Sequence, residues 1–219
     1  VPDFSVMLAS EKHFKYVNDI LSTIKESAKV RGTGIALRQP DYIRQKMIEG
    51  KAIIALKDNE FAGFCYIENW GHGKFVANSG LIVNPPFRGN GLAKIIKQAT
   101  FNLSRKKFPA AKIFGLTTGL AVMKINSSLG YRPVTFSELT NDPAFWEGCK
   151  SCINFDILER TNRKNCLCTG MLYDPDWQLQ NDADISIKRQ ATLKVYARWF
   201  RFKYHVLGGF KRKKDMMET

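Results

Sequence analysis

The chain has 219 residues, of which 44% are hydrophobic and 25% are charged, as is ordinary for a globular protein. No apolar run reaches the roughly 18 residues of a membrane-spanning helix, and the first ten residues lack the basic lead and apolar core of a signal peptide. We therefore expect a cytoplasmic protein. The formal net charge is +14, and residues 185–219 carry +8 of it, from ten Lys and Arg against two acidic residues.

The first half of the chain predicts a strand, two helices and a three-stranded antiparallel meander. A strand over "FSVMLAS" leads to Ser10, which can cap a helix with apolar residues at three- to four-residue spacing. A second helix, "DYIRQKMIEG", ends at Gly50. The segments "AIIAL", "FAGFCYIENW" and "FVANSGLIV" follow as strands joined by tight turns.

The second half predicts a helix, a strand, a second helix and two final strands. The first of these helices carries Leu92 and Ile96 on an apolar face, with its basic residues, Lys94 and Lys97 among them, largely elsewhere. Strand "KIFGLTT", helix "GLAVMKINSSLG" and strands "YRPVTFSE" and "INFDIL" complete the pattern. This order predicts an α/β fold with a mixed sheet rather than a doubly wound parallel sheet.

A glycine-rich stretch, "VNPPFRGNGLAKIIKQ" (83–98), falls where a predicted strand turns into a helix. The glycines alone are compatible with nothing more than a tight turn. Backbone N–H groups at the positive end of a helix, however, form a site for phosphate. The nucleotide P-loop is excluded because Gly91 is followed by Leu92 and Ala93, and the dinucleotide fingerprint because Lys94 replaces its third glycine.

Arg88, Gly91 and Ala93 resemble the Arg/Gln-x-x-Gly-x-Gly/Ala phosphate-binding motif of the GNAT superfamily of N-acetyltransferases. Val83 and Pro85 are similar to the Val-x-Pro that often precedes it, and "INSSLGYRPV" is similar to a second landmark of the family. The resemblance implies a GNAT-type, mostly antiparallel central sheet flanked by helices. It also implies transfer of acetyl from acetyl-CoA, or of another short acyl group, to a primary amine of a small molecule.

The same resemblance implies which residues contact coenzyme A. The glycine loop would hold the pyrophosphate through backbone N–H groups, and the exposed edge of the preceding strand would pair with the pantetheine arm. These residues are Leu81, Ile82, Val83, Arg88, Gly89, Asn90, Gly91, Leu92 and Ala93.

The catalytic residues depart from the common pattern of the family. Asn126 stands where many relatives have a tyrosine that protonates the leaving thiolate, and Asn78 and Ser79 stand where relatives often have a basic glutamate. Glu68 is a candidate proton acceptor acting through water, or else a solvated strand-end residue. Asn126 is a candidate hydrogen-bond donor to sulfur, or else a helix-end residue without such a role. A catalytically silent module that binds or senses acyl-CoA is therefore the alternative to an enzyme.

The loop "VRGTGIALRQ" is predicted to line the binding site of the acceptor amine. Arg31 and Arg38 can clamp the carboxylate of an amino-acid acceptor, or the loop is flexible and both arginines are solvated. The chain also resembles small acyltransferases that bacteria of the Bacteroides group encode beside arginine-biosynthesis enzymes. That likeness implies glutamate as an acceptor, with acetyl- or succinyl-CoA as the donor.

A cysteine-containing insert is predicted over residues 138–175. Cys149 and Cys152 form a Cys-x-x-Cys pair, and Cys166 and Cys168 follow after a 13-residue gap. Four thiolates suit a structural zinc ion. Buried free thiols are the alternative, and a redox pair is less favoured because no thioredoxin-like unit surrounds it.

The remaining predictions concern domains and partners. A GNAT domain is expected over residues 1–160, followed by a basic, aromatic tail over 185–219. The tail either packs on the domain or on a second subunit of a homodimer, or it contacts an anionic membrane or a nucleic acid.

Overall fold

The computed structural model describes residues 3–31 and 38–177, with side chains up to residue 29 in the first range. The predicted tail at 185–219 lies outside the described residues. The strands are β1 (Ser5–Leu8), β2 (Ala52–Lys57), β3 (Glu60–Trp70), β4 (Phe75–Val83), β5 (Lys112–Thr117), β6 (Arg132–Val134) and β7 (Thr169–Tyr173). The α-helices are α1 (Val17–Arg31), α2 (Pro40–Ile48), α3 (Leu92–Lys107), α4 (Leu120–Ser128), α5 (Pro143–Glu147) and α6 (Phe155–Arg160).

The strands form one mixed sheet in the order β1-β2-β3-β4-β5-β7-β6. The pairing of β4 with β5 is parallel, and the other pairings between described strands are antiparallel. The predicted α/β fold, with a mostly antiparallel sheet flanked by helices, is therefore confirmed.

Helices cover both faces of the sheet because the central strands are apolar on both sides. In β2, the first five residues are all buried, as its continuous run "AIIAL" requires. On one face Ile20 and Ile24 of α1 pack with the apolar residues of α2 against the sheet. On the other face Leu92 and Ile96 of α3 pack on β2 and β3. The described residues up to Asp174 form one compact unit.

The sheet opens into a fork between β4 and β5. The two strands pair only where Phe75–Ala77 lies beside Lys112–Phe114. Beyond Ala77, β4 continues to Val83 and stays paired with β3, while β5 pairs with β7 on its other side. The fork therefore leaves one edge of β4 free from Asn78 onward among the described residues.

The last strand is not where the sequence predicts it. The segment "INFDIL" contains helix α6, which begins after Asn154 and buries Leu158 while Ile153 is 75% exposed. A short apolar run is compatible with either a strand or a helix, and tertiary packing selects the helix. The seventh strand is β7, which lies between β5 and β6.

Two smaller differences follow from local turn chemistry. The segment "YRPVTFSE" is a strand only over Arg132–Val134, because Thr135 and Glu138 form a capping box around a short 3₁₀ turn. The first predicted helix begins as a 3₁₀ turn over Glu11–Tyr16, after Ser10 as expected, and becomes α1 at Val17. None of the helices described is both long and apolar enough to cross a bilayer.

Candidate active site

A cavity of about 470 Å³ lies at the fork of the sheet. Its lining comes from the free part of β4, from β3 and β5 on either side, and from α2, α3 and α4. Phe136 and the segment between Ala144 and Cys168 also line it. The cavity therefore collects residues that are far apart in the sequence.

The glycine loop follows directly from the free edge of β4. Gly89 and Gly91 have φ angles of +83° and +74°, which favour glycine, and a Cβ at either would meet no atom within 4 Å. Gly91 precedes the first residue of α3. The first N–H groups of a helix have no intrahelical acceptor, so those of Leu92 and Ala93 are oriented to bind an anion.

The Arg88 side chain is used to hold the loop in place. Its Nε donates to the carbonyl oxygen of Val83 at 3.0 Å, and its Nη2 donates to Ser27 Oγ on α1 at 3.2 Å. Asn90 makes similar local contacts, since its Nδ2 lies 3.4 Å from the carbonyl oxygens of Phe87 and Arg88. These two side chains shape the loop, and its backbone is left to face a ligand.

The predicted residues of β4 divide between the two faces of the sheet. Leu81 lines the cavity. Ile82 is buried in the core with α1 and α2, and Val83 packs on the α3 side. A ligand beside this strand would contact mainly its backbone, as the predicted pairing with a pantetheine arm requires.

Glu68 is buried in the cavity rather than solvated at a strand end. It is 7% exposed, and its Oε1 accepts a hydrogen bond from the Tyr42 hydroxyl. Arg38 Nε donates to the Tyr66 hydroxyl at 2.8 Å, and the Arg38 guanidinium lies 5.1 Å from the centre of the Tyr42 ring. Arg38, Tyr42, Tyr66 and Glu68 therefore form one polar cluster on the cavity wall.

Burial and neighbouring charges fix the protonation states of this cluster. Burial, with the nearby Glu68, raises the pKa of both Tyr42 and Tyr66 well above the usual tyrosine range. Burial acts to lower the pKa of Arg38, but its interactions with Tyr66, Tyr42 and Glu68 outweigh that effect and raise it. Both phenols therefore stay neutral, and Arg38 stays charged. Arg31 ends α1, but its side chain and loop residues 32–37 lie outside the description.

Asn126 lies on α4, where it lines the cavity and is 1% exposed. Its Oδ1 has no hydrogen-bond partner among the described residues. A buried polar atom left unpaired is costly, and this oxygen is therefore available to accept a hydrogen bond from a molecule in the cavity.

The sequence did not identify Lys97 as a cavity residue. It was expected on the polar face of α3, yet it is 2% exposed and lines the cavity. One signal was present: Lys97, Thr100 and Ser104 recur at i, i+3 and i+7, and all three are buried. The spacing shows that the three polar residues share one face of α3, and docking on the sheet buries that face.

The aromatic wall of the cavity was also missed. Trp70 and Phe145 stack edge to face at 5.7 Å, and Phe145 also contacts Phe114 at 4.9 Å. All three line the cavity. Nothing in the local sequence pattern links Phe145 to strands β3 and β5, which precede it by many residues.

The structure does not support the predicted zinc site. Cys149, Cys152, Cys166 and Cys168 all line the cavity, but no group of three or more His, Cys, Asp or Glu in the described ranges could hold a metal ion. Their thiols are unbridged. Burial and the neighbouring cysteines raise the pKa of Cys149 to about 11 and that of Cys168 to about 12, so both are neutral thiols at physiological pH.

Comparison with solved structures identifies the fold. N-acetylglutamate synthase from Neisseria gonorrhoeae, complexed with coenzyme A and N-acetyl-glutamate, matches 80% of this chain at a TM-score of 0.58 and 14% identity. A Mycobacterium tuberculosis protein in complex with CoA and NLQ matches 78% of the chain at a TM-score of 0.55 and 15% identity. A Salmonella typhimurium protein with its cofactor acetyl-CoA also matches 78%, at a TM-score of 0.52 and 13% identity.

These structures differ in how much of their own length is shared. The match covers 98% of the M. tuberculosis chain and 94% of the S. typhimurium chain. It covers only 35% of the N. gonorrhoeae chain, so this protein spans about a third of that synthase. At such low identities the likeness shows a common fold. A search of the curated proteins found no match.

One stretch of the sequence matches a family model. Residues 21–121 match the model of the acetyltransferase (GNAT) family. This range runs from α1 through the glycine loop to the start of α4 and includes the fork of the sheet. This stretch, just under half of the chain, is therefore similar to the GNAT acetyltransferases, and the solved structures named above share its fold.

Proposed function

We propose that this protein transfers an acetyl group from acetyl-CoA to the primary amine of a small molecule. The observation that carries the proposal is the continuity of β4. Its free edge runs from the buried cavity, at Asn78, to the glycine loop that ends at Gly91. One strand with an unpaired edge thereby joins the glycine loop to the buried cavity.

The residues present fit coenzyme A in two independent places. At the loop, Gly89 and Gly91 leave open space around backbone N–H groups at the start of α3. In the cavity, the unpaired Oδ1 of Asn126 can accept from an amide N–H or a thiol S–H. Acetyl-CoA supplies the activated thioester, and the protein supplies orientation, proton transfer and exclusion of water.

Glu68 is the residue we assign to accept the proton of the amine. It is a buried carboxylate on the cavity wall, held in place by the Tyr42 hydroxyl. Tyr42 in turn lies against Tyr66, with ring centres 5.8 Å apart. This support fixes the carboxylate, and a fixed base at the reacting amine typically contributes a rate factor of about 10² to 10⁴.

Two features of the cavity wall bear on the identity of the acceptor amine. Glutamate, or another amino acid held by Arg38, is one candidate, because Arg38 lies in the cavity beside Tyr42 and Tyr66. The aromatic wall made by Trp70 and Phe145 favours an amine with an apolar or aromatic side chain. Acetyl and succinyl donors, a cytoplasmic location and a homodimer all stay predictions.

Turnover of defined amines tests the proposal. The protein is incubated with acetyl-CoA and single amines in three groups: glutamate and aspartate, aliphatic amines, and aromatic amines. Release of free thiol is followed, and the acetylated product is identified by mass. We expect thiol release that depends on an amine, with the fastest group identifying the acceptor class.

The catalytically silent alternative makes a different prediction for the same samples. A module that only binds acyl-CoA would bind coenzyme A in calorimetry and release no thiol above the rate of buffer hydrolysis with any amine. Absence of coenzyme A binding would contradict both the enzyme and the binding module.

A further inference from the structure

Lys97 occupies a position in which a lysine is energetically expensive. It projects from α3 into the interior, is 2% exposed and lines the cavity at the fork. Its Nζ donates to Asn78 Oδ1 at 3.1 Å and lies 5.0 Å from the centre of the Tyr131 ring. Both partners are neutral.

No carboxylate among the described residues forms an ion pair with this buried cation. Asn78 also has other partners, since its Oδ1 accepts from the Tyr131 hydroxyl at 2.9 Å and its Nδ2 donates to Ser104 Oγ at 2.7 Å. A buried ammonium without an anion is costly, and an apolar residue would make this position more stable.

Burial therefore lowers the pKa of Lys97 to about 8, against its ordinary value of 10.5. The titratable groups that face it are Cys65 from β3 and Tyr131 after α4. Burial raises the pKa of both of these groups, so neither is an anion at neutral pH. Lys97 is thus a group that both holds and releases a proton near physiological pH.

Lys97 lies at the fork between β4 and β5. Asn78, the acceptor of the Lys97 hydrogen bond, is the first residue of β4 beyond its pairing with β5. Lys97 therefore lies where the free edge of β4 begins, at the inner end of the route from the glycine loop. Asn126 lines the same cavity and has no ionisable proton to give.

We propose that Lys97 donates the proton that the departing coenzyme A thiolate requires, an inference that rests on the proposed acyl transfer. The amine nitrogen forms its bond to the carbonyl carbon, and the carbon–sulfur bond breaks with its electron pair on sulfur. Lys97 Nζ gives a proton to that sulfur, and Glu68 takes the proton released by the amine. Glu68 then releases its proton to solvent and neutral Lys97 takes one up from solvent, so both groups return to their starting protonation states with no net change in protons at these two residues.

The first test uses the unmodified protein and does not depend on turnover. Lysine side chains labelled with ¹⁵N are observed by NMR, and coenzyme A is compared with desulfo-coenzyme A, which lacks only the thiol. We expect both compounds to bind through the glycine loop. Only coenzyme A should change the titration midpoint of the Lys97 signal, because only it places a sulfur near Nζ.

The second test measures the thiol. The ultraviolet absorbance of the thiolate is titrated in bound coenzyme A, with wild type, Lys97→Met and the exposed-site control Lys106→Met. A cation within hydrogen-bonding range lowers the pKa of an acid by about 1 to 3 units. We expect the bound thiol to titrate about 1 unit or more lower in wild type and Lys106→Met than in Lys97→Met.

A third variant separates proton donation from charge. Lys97→Arg keeps a cation but gives up no proton at accessible pH. We expect kcat to fall about 10²-fold or more in both Lys97→Met and Lys97→Arg, with unchanged coenzyme A affinity. The decline of kcat at high pH should be present in wild type and absent from the residual activity of both variants.

The outcomes distinguish this inference from the proposed function. If neither coenzyme A nor desulfo-coenzyme A binds, the acyltransferase proposal fails. If both bind but the Lys97 signal responds to them equally, Lys97 is not the proton donor, whatever the variants do. Equal thiol pKa values in folded wild type and Lys97→Met, or an unchanged pH profile of kcat, would also overturn it.

Discussion

A glutamate at Gly91 should weaken coenzyme A binding while leaving the protein folded. Gly91 has a φ of +74°, so any side chain costs about 1–2 kcal/mol in backbone strain. A Cβ there would meet nothing within 4 Å, so no steric clash adds to that cost. For a chain of this length the melting temperature should fall by about 2–8 °C.

The loss of binding has a separate cause. A carboxylate at this position would stand among the N–H groups at the start of α3, where it would both occupy the anion site and repel a pyrophosphate. We expect the affinity for coenzyme A to fall more than about tenfold, which is about 1.4 kcal/mol. Isothermal titration calorimetry measures the affinity directly.

The chain offers a matched control at Gly73. This glycine lies in the turn between β3 and β4, has a φ of +83°, and leaves a Cβ equally unobstructed. Gly73→Glu therefore carries the same strain and the same charge, away from the loop. Equal coenzyme A affinities for Gly91→Glu and Gly73→Glu, with both proteins folded, would refute the assignment of the loop.

Three further outcomes follow from the structure. Glu68→Gln should lower kcat by about 10²-fold or more while coenzyme A affinity in calorimetry stays unchanged, because only proton acceptance is lost; full activity would remove Glu68 from the mechanism. The ordinary pKa of Lys97 in the unfolded chain is 10.5 and burial lowers it to about 8 in the folded chain, so at this residue the folded state binds fewer protons and the contribution of Lys97 to stability rises with pH in this window. Between pH 8 and pH 10, urea denaturation should show the free energy of unfolding of wild type rising by roughly 2 kcal/mol relative to that of Lys97→Met. A difference between the two proteins that does not change with pH would contradict the lowered pKa. Gly63→Ala would place a Cβ 2.5 Å from Ile96 Cδ1 and should cost about 1–3 kcal/mol of stability. The control is Gly148→Ala, whose Cβ would meet only a side-chain atom at 3.9 Å, and it should denature like wild type.

The parts of the fold that the sequence predicted are those set by local chemistry. Continuous apolar runs became β2, β3 and β4, and Gly89 and Gly91 formed the expected loop with positive φ angles. These features depend on residues adjacent in the chain, where periodicity and glycine conformations carry direct information.

The parts that were not predicted depend on contacts between distant segments. The segment "INFDIL" satisfies a strand pattern, and its helix is selected by the burial of Leu158. Lys97 looks like a residue of a solvated helix face until α3 is docked on the fork beside Asn78 and Tyr131. Glu68 was identified from its place near the end of β3, but its partner Tyr42 belongs to another element. Contacts of this kind, between residues far apart in the sequence, form only when the chain folds.

The position of β7 has a consequence for how the protein is made. A ribosome delivers β5 and β6 before Thr169–Tyr173, yet β7 lies between them and pairs with both. Until Tyr173 has emerged, β5 presents an unpaired edge, and β6 has no neighbour in the sheet. Exposed strand edges in nascent chains invite pairing with other chains. The β5–β7–β6 half of the sheet can therefore assemble only after β7 has been synthesised, and until then the edge of β5 is open to pairing with other chains.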